Sequence, residues 1–239
     1  MKPSLTIAIP LYNEEAGVEN LYNQLNAEIE NIKNKVELKI LLVDDGSTDS
    51  TLRLLNKYFY TEEYEIISHK INLNLGGFHK TAINNCKSEY IGFLDSDCTY
   101  SPKLINEMLD FIFKGYEVIN ASPWHPDGRV HGLSKFRILL SKSANLIYRI
   151  ILRKKIYTSS SICKIYKYEC IENIEITNSG YVSVTELFTK SLLKNYKFYE
   201  YPCLLTVRKF GTSKINFSST VIEHFKYMFK LFNLKYNLK

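Results

Sequence analysis

Long apolar runs are absent from this sequence of 239 residues. A helix that spans a bilayer needs about 20 consecutive apolar residues, and no stretch approaches that length. We therefore expect no transmembrane helix, and any membrane contact would be peripheral. A strand-like apolar pattern starts already at Leu5, so a secretory leader is not expected either.

Paired cysteines at metal-binding spacing are also absent. The chain has five cysteines, an odd number, and no CxxC motif. This pattern argues against a disulfide framework and against a structural zinc site, and it favours a reducing compartment. A cytoplasmic protein is the simplest expectation.

Acidic residues are missing from one long stretch. Residues 128–168 contain no Asp or Glu but many Lys and Arg, and only Glu223 is acidic after Val207. With a net charge of +6, this asymmetry favours a partner that carries phosphate: a nucleic acid, an anionic membrane or a phosphorylated substrate. A solvated basic face is the alternative. We expect no nucleic acid, because no recognised binding motif or exposed aromatic stacking set accompanies the charges.

Strand and helix patterns alternate along the first half of the chain. Apolar strand patterns cover 5–10, 38–43, 65–68, 90–94 and 117–121, with helical spacing between them. This alternation predicts an α/β fold with a mostly parallel central sheet and helices on both faces. The second half predicts helices over 133–152 and 184–194 and strands over 161–166 and 198–207. We expect one domain over 1–215, followed by an amphipathic helix over 216–239.

Three polar loops follow buried strands, at 10–14, 44–49 and 95–99. The carboxyl ends of parallel strands meet at one edge of a sheet, so these loops are expected to converge into a ligand site. Asp95 and Asp97, one residue apart on a bend, suit a hard cation such as Mg²⁺ or Mn²⁺. A turn with two solvated acids is the alternative reading. Asp44 and Asp45 suit hydrogen bonds to a base or ribose, or capping of the next helix.

Two other features are predicted to be structural. His79, His131 and His224 are isolated in the sequence and are expected at the surface. Gly76 and Gly77 do not belong to a GxGxxG motif, and a tight turn within a loop over 72–77 is expected there.

Four motifs occur in order: IPLYNEE at 9–15, VDDGSTD at 43–49, NLNLGG at 72–77 and LDSD at 94–97. Together they resemble family 2 glycosyltransferases. The resemblance implies a GT-A fold, a nucleotide-sugar donor and inversion at the anomeric carbon, with residues 1–122 binding the donor and 123–215 the acceptor. It places the nucleotide sugar on Pro10, Tyr12, Glu14, Asp44, Asp45 and Asp95, and the metal and diphosphate on Asp95 and Asp97, with Asp97 catalytic.

The second half resembles dolichyl-phosphate mannosyltransferases and bacterial polyprenyl-phosphate relatives, through FRILLSKSAN at 136–145 and VRKFGTSK at 207–214. In that group the matching Arg137, Ser141 and Arg208, together with Ser213 and Lys214, would hold an acceptor phosphate. A phosphate acceptor is already anionic, so it needs positioning and charge balance instead of deprotonation.

This sequence departs from that group at several positions. Thr99 stands where a metal-binding Gln is common, and SPW at 122–124 replaces a more usual Ser-Arg-Tyr, which removes one basic contact. Many relatives also carry C-terminal transmembrane helices that are not expected here.

Two acceptors therefore remain open. The first hypothesis is transfer from GDP-mannose or a UDP-sugar to polyprenyl phosphate, by an enzyme that is peripheral on the cytoplasmic face of a membrane. The second is transfer to a hydroxyl of a cell-surface polysaccharide or glycolipid. The second would need a general base, for which Glu186 is the first candidate. A helix ion pair with a nearby Lys is the alternative role of Glu186. Oligomeric state cannot be predicted.

Overall fold

The computed structural model describes residues 2–206 and 217–237. The first half contains β1 Ser4–Leu11, α1 Val18–Lys35, β2 Glu37–Asp44, α2 Thr51–Tyr58, β3 Tyr64–Ser68, α3 Asn74–Asn85, β4 Tyr90–Phe93, α4 Lys103–Ile112 and β5 Val118–Ser122. The second half contains β6 Arg129–Val130, α5 Lys135–Leu152, β7 Lys164–Lys167, α6 Val182–Leu193, β8 Phe198–Pro202, β9 Leu204–Leu205 and α7 Phe217–Asn237.

Seven of the described strands form one sheet, in the order β3-β2-β1-β4-β7-β5-β8. Only β7 runs antiparallel to its neighbours, β4 and β5, whereas the other pairs in this sheet are parallel. The predicted mostly parallel α/β fold is thus confirmed. The central strands are buried on both faces because helices cover them, which is why their sequences are continuous apolar runs.

The C-terminal helix α7 packs against α5 and α6. Tyr227, Met228 and Leu231 lie in the hydrophobic core, and the Tyr227 hydroxyl is 2.6 Å from the Thr189 hydroxyl of α6. Its other side is exposed, and includes Phe229 at 71% exposure. None of the described helices is long and apolar enough to cross a bilayer.

Three local predictions are wrong. Two lie in α3, and the third is His224 of α7, which is half-buried instead of at the surface, with its Nδ1 2.8 Å from the Tyr148 hydroxyl of α5. Gly76 and Gly77 lie in the first turn of this helix instead of in a loop, because the helix begins at Asn74. A Cβ on Gly76 would lie 2.3 Å from the Asn178 carbonyl oxygen, so this position needs glycine for close packing. His79 is buried, with 2% exposure, because α3 packs against α6, where its Nδ1 lies 3.1 Å from Ser183 Oγ.

Candidate active site

The three polar loops converge as predicted. Strand β1 lies between β2 and β4, so the segments that follow these three strands meet at one edge of the sheet. Hydrogen bonds join the first two loops: Asn13 N donates to Ser47 Oγ over 2.9 Å, and Glu14 N donates to Thr51 Oγ1 over 2.8 Å. Helix α1 begins at Val18, after Glu14 and Glu15.

A cavity of about 960 Å³ opens at this edge. Its lining brings together residues that the sequence assigned to the donor, the metal and the acceptor: Pro10, Tyr12, Glu14, Asp45, Asp95, Asp97, Arg137 and Ser141. Helices α5 and α7 supply the opposite wall, which is more apolar, with Leu140, Ile147, Val221 and Met228. The cavity is therefore acidic at the sheet edge and apolar between these helices.

The acidic pair lies on a tight turn after β4. Cys98 adopts a φ of 53°, in the left-handed region, and the reversed chain lets Thr99 N donate to Asp97 Oδ1 over 3.0 Å. Burial, and then the charge of Asp97, raise the pKa of Asp95 well above its usual range. Two carboxyl groups in such proximity disfavour full ionisation unless a cation offsets their charge.

This pair fits a divalent cation. Among the described residues, no group of three or more His, Cys, Asp or Glu side chains could hold a metal ion. The protein ligands of a cation at this site would therefore be the two carboxylates of Asp95 and Asp97. Oxygen atoms of a bound diphosphate would then supply the remaining ligands, as is usual for Mg²⁺ beside phosphates. Thr99 is already engaged with Asp97 through its hydroxyl and its amide.

The neighbouring acids of the second loop have different surroundings. Asp44 is 1% exposed and its carboxylate accepts hydrogen bonds from Ser68 Oγ at 2.7 Å and from Ser47 N at 3.2 Å. It is not among the described residues that line the cavity, whereas Asp45 is. Asp49 precedes Ser50, the N-cap residue of α2, and accepts from Thr51 N at the start of the helix over 2.9 Å, so neither Asp44 nor Asp45 is needed to bind this end of α2.

The acceptor-side residues are only partly described. Arg137 and Ser141 lie one turn apart on α5 and both line the cavity. Arg208, Ser213 and Lys214, which were also assigned to the acceptor phosphate, lie outside the described residues. Their placement in the site stays a prediction.

Glu186 adopts the ion-paired alternative. It is fully buried on α6, and its carboxylate lies 2.7 Å from Lys190 Nζ, one turn further along the helix. It is not among the described residues that line the cavity. Burial alone would raise its pKa, but hydrogen bonds from Lys190, Thr177 and Asn178 hold the pKa below its ordinary value. Its contacts give no support to a role as general base.

Three cavity or supporting residues were missed from the sequence. His69 follows the end of β3, and its Nδ1 lies 2.7 Å from Asp45 Oδ1; the strand-end rule that singled out the acids could have found it. Trp124, the one tryptophan of the chain, and Tyr181 both line the cavity. No motif marks Tyr181, because a non-local contact brings it to the site.

The chain matches the family model described as Glycosyl transferase family 2 over residues 6–175. Among curated relatives, it is 23% identical to dolichol-phosphate mannosyltransferase from Pyrococcus furiosus, over 95% of this chain and 63% of that protein. It is 24% identical to polyprenol monophosphomannose synthase from Mycolicibacterium smegmatis, over 92% of this chain and 84% of that protein. The chain thus spans less than two thirds of the length of the Pyrococcus relative.

Solved structures of glucosyl-3-phosphoglycerate synthase from Mycobacterium tuberculosis have the same fold. The complex with Mn²⁺, UDP-glucose and phosphoglyceric acid superimposes with a TM-score of 0.71, at 14% identity, over 95% of this chain and 79% of that one. The complex with Mg²⁺ and UDP gives a TM-score of 0.70, at 15% identity and the same coverage. These neighbours have the GT-A fold. Since the family model covers more than half of the sequence, the chain belongs to glycosyl transferase family 2 and is a glycosyltransferase.

Proposed function

We propose that this enzyme transfers a sugar from a nucleotide-sugar donor to a polyprenyl phosphate at a membrane surface, with inversion at the anomeric carbon. The observation that carries the proposal is that the Asp95–Asp97 pair shares one cavity with Arg137 and Ser141 of α5. An acidic pair suits a metal-bound diphosphate, and a guanidinium beside a hydroxyl suits a phosphate. The names of the two curated relatives support the same acceptor class.

In this mechanism, Asp45, Tyr12 and Glu14 hold the nucleoside end of the donor at the sheet edge. Asp95 and Asp97 would hold a divalent cation, Mg²⁺ or Mn²⁺, and its positive charge would offset the negative charge of the departing diphosphate. Arg137 and Ser141 orient the acceptor, so that its phosphate oxygen forms a bond to the anomeric carbon as the bond to the diphosphate breaks. No proton has to be removed from the acceptor, which agrees with the burial of Glu186.

The membrane part of the proposal rests on α5 and α7. On α5, Phe136, Leu139, Leu146 and Ile150 are exposed, and on α7 Ile222, Phe225, Phe229 and Phe232 are exposed. Within each helix the spacing puts these residues on one side. Helix α5 contains Lys and Arg but no acid, and α7 contains a single acid, so both suit an anionic lipid surface. An apolar polyprenyl chain would enter the cavity from that surface.

Transfer of radiolabelled sugar tests the proposal. GDP-mannose and a panel of UDP-sugars are offered with undecaprenyl or dolichyl phosphate, with Mg²⁺ or Mn²⁺ and with EDTA. We expect label in the lipid fraction that depends on metal, and a loss of at least about 100-fold for Asp97→Ala.

The variant Asp127→Ala, which removes an exposed carboxylate, serves as the matched control, and its activity is expected to be near wild type. Metal-dependent hydrolysis of one donor without any lipid product would overturn the lipid acceptor and favour the hydroxyl of a glycan or glycolipid. Full activity in EDTA would overturn the metal role of Asp95 and Asp97.

A further inference from the structure

We propose that Glu186 is a positioning residue whose carboxylate fixes the loop 177–181, where the donor and acceptor sides of the cavity meet. The inference rests on the proposed function for its kinetic consequences, but not for its structural ones. It replaces the general-base hypothesis with a role that the contacts of Glu186 support.

The Glu186 carboxylate accepts most of its hydrogen bonds from this loop. Its Oε2 accepts hydrogen bonds from Thr177 N at 3.1 Å, from Asn178 N at 2.8 Å and from Asn178 Nδ2 at 2.7 Å. Its Oε1 accepts from Thr177 Oγ1 and from Lys190 Nζ, both at 2.7 Å. A buried carboxylate with this many donors is held ionised in one orientation, and the two residues that donate most of the bonds are fixed with it.

The same loop is also held from the donor side. Gly76 N, in the first turn of α3, donates to the Ser179 carbonyl over 2.6 Å. Because a side chain at Gly76 would collide with this loop, α3 and the loop are in direct backbone contact. Asn74 and Leu75 of the same turn line the cavity, so this contact connects the donor side to the loop.

The acceptor side holds the loop through α7. Lys230 Nζ donates to Thr177 Oγ1 over 2.8 Å. A Cβ on Gly180 would lie 3.1 Å from Glu223 Oε2, which places α7 against the next part of the loop. The loop is therefore clamped between α3 and α7, and Glu186 of α6 supplies the buried charge beneath it.

What the loop presents to the cavity is Ser179, Gly180 and Tyr181. The Tyr181 hydroxyl donates to the Ser160 carbonyl over 2.9 Å, on another segment of the cavity wall. Besides burial, the charges of Asp95 and Asp97 raise the pKa of Tyr181, whereas Arg137 lowers it. The phenol thus lies within electrostatic range of both the acidic pair and the proposed acceptor-binding arginine.

Three variants test the inference: Glu186→Gln, Asn178→Ala and the double variant. Glu175→Gln, an exposed carboxylate just before the loop, is the matched control. We expect kcat/KM for the lipid acceptor to fall about tenfold or more in E186Q and about fivefold in N178A. In the double variant it should fall by no more than about a further twofold relative to E186Q, because both changes release the same loop. Nucleotide affinity, measured by Trp124 fluorescence, is expected to stay within about twofold.

A general base gives a different pattern: E186Q would lose about 10²–10⁴-fold in kcat, the acidic limb of the pH profile would disappear, and N178A would be near wild type. That result would overturn the inference. Thermal unfolding checks that each variant folds; if E186Q does not, N178A against E175Q decides the question.

Amide hydrogen exchange separates this inference from the proposed function. In N178A and E186Q, exchange at 177–181 is expected to accelerate at least about tenfold while β1 and β4 keep wild-type rates. Faster exchange with no lipid product from the wild-type enzyme would leave the positioning role standing and overturn only the acceptor. Unchanged exchange in both variants would overturn the positioning role.

Discussion

At the scale of single residues, Asp45 shows how a carboxylate that lines the cavity is oriented. Its Oδ1 accepts from Leu73 N over 2.8 Å and lies 2.7 Å from His69 Nδ1. The other ring nitrogen of His69 is 2.8 Å from Thr81 Oγ1 of α3. Asp45 lines the cavity, and His69 supports it from behind. The nucleoside-binding role proposed for Asp45 therefore depends on this chain of hydrogen bonds.

We predict that His69→Phe weakens nucleotide binding about tenfold, because the loss of a buried hydrogen bond costs about 1–2 kcal/mol and leaves the carboxylate free to turn. Thr81→Val should weaken it less, since it removes only the outer bond. Nucleotide titration followed by Trp124 fluorescence measures the effect. His131→Phe, at an exposed histidine, is the control. Equal affinities for H69F and wild type would contradict the prediction.

The residues of the site differ in how far the sequence reveals them. The acids at 44–45 and 95–97 follow strands, so the parallel topology alone predicts that they converge. The burial of Asp44 depends on Ser68 of the neighbouring strand, and pairing between strands is not encoded locally. Glu186 is similar: its partners at 177–178 identify its role, and only the folded chain brings the loop to α3.

At the scale of elements, an amphipathic helix such as α7 can pack on the domain or contact a membrane, and the structure shows packing directly. One side of the helix enters the core through Tyr227 and Leu231. His224 Nδ1 is 2.8 Å from the Tyr148 hydroxyl of α5. Deleting the helix would therefore remove core and cavity residues along with the exposed side. Substitution on the exposed side is the cleaner test of membrane contact.

We predict that Phe229→Ser combined with Phe232→Ser reduces cosedimentation with liposomes that contain anionic lipid at least about tenfold, because each exposed phenylalanine contributes up to about 1.5–3 kcal/mol when buried. Both residues lie outside the described cavity lining, so the unfolding temperature and donor hydrolysis should be near wild type. Tyr60→Ser, at an exposed aromatic residue after α2, is the control. Binding that is unchanged in the α7 variant would contradict membrane docking by this face.

The topology of the elements is only partly predictable. The first-half strands follow from apolar periodicity, and their order β3-β2-β1-β4 agrees with the alternating pattern. The antiparallel β7 enters between β4 and β5 from the second half of the chain, far away in sequence. Local patterns contain no information on such an insertion. The start of α3 is likewise not predictable from the local sequence, because the reason for a glycine at position 76 of this helix is its close contact with Asn178 and Ser179, which are distant in sequence.

At the scale of the whole molecule, two buried basic groups make folding depend on pH. Lys164 is 1% exposed in the middle of the sheet, where burial lowers its pKa to about 7. Its Nζ donates to the Ser161 carbonyl and lies 5.0 Å from the centre of the Phe188 ring. Burial, followed by the charge of Lys164, lowers the pKa of His79 to about 3. Both groups bind a proton more weakly in the folded chain than in the unfolded one.

The two groups act in separate pH windows. Between pH 7 and the ordinary lysine value of 10.5, the unfolded chain binds the Lys164 proton and the folded chain does not, so stability rises with pH in that range. For His79 the corresponding window runs from the ordinary value of 6.5 down to about 3. Within it, stability falls as the pH falls, because the unfolded state gains a proton that the buried imidazole does not accept.

We therefore predict that His79 alone accounts for a loss of about 2 kcal/mol in the free energy of unfolding between pH 7.5 and pH 5. A glutamine in His79→Gln can keep the hydrogen bond to Ser183 but cannot titrate. Between pH 7.5 and pH 5, the free energy of unfolding of this variant should therefore fall by about 2 kcal/mol less than that of the wild type, whatever the stability of the variant at pH 7.5. Urea unfolding at both pH values measures the difference, and exposed His131→Gln should keep the wild-type dependence. If H79Q and wild type lose the same free energy, the folded protein binds a proton at His79 as readily as the unfolded chain does, and the prediction is wrong.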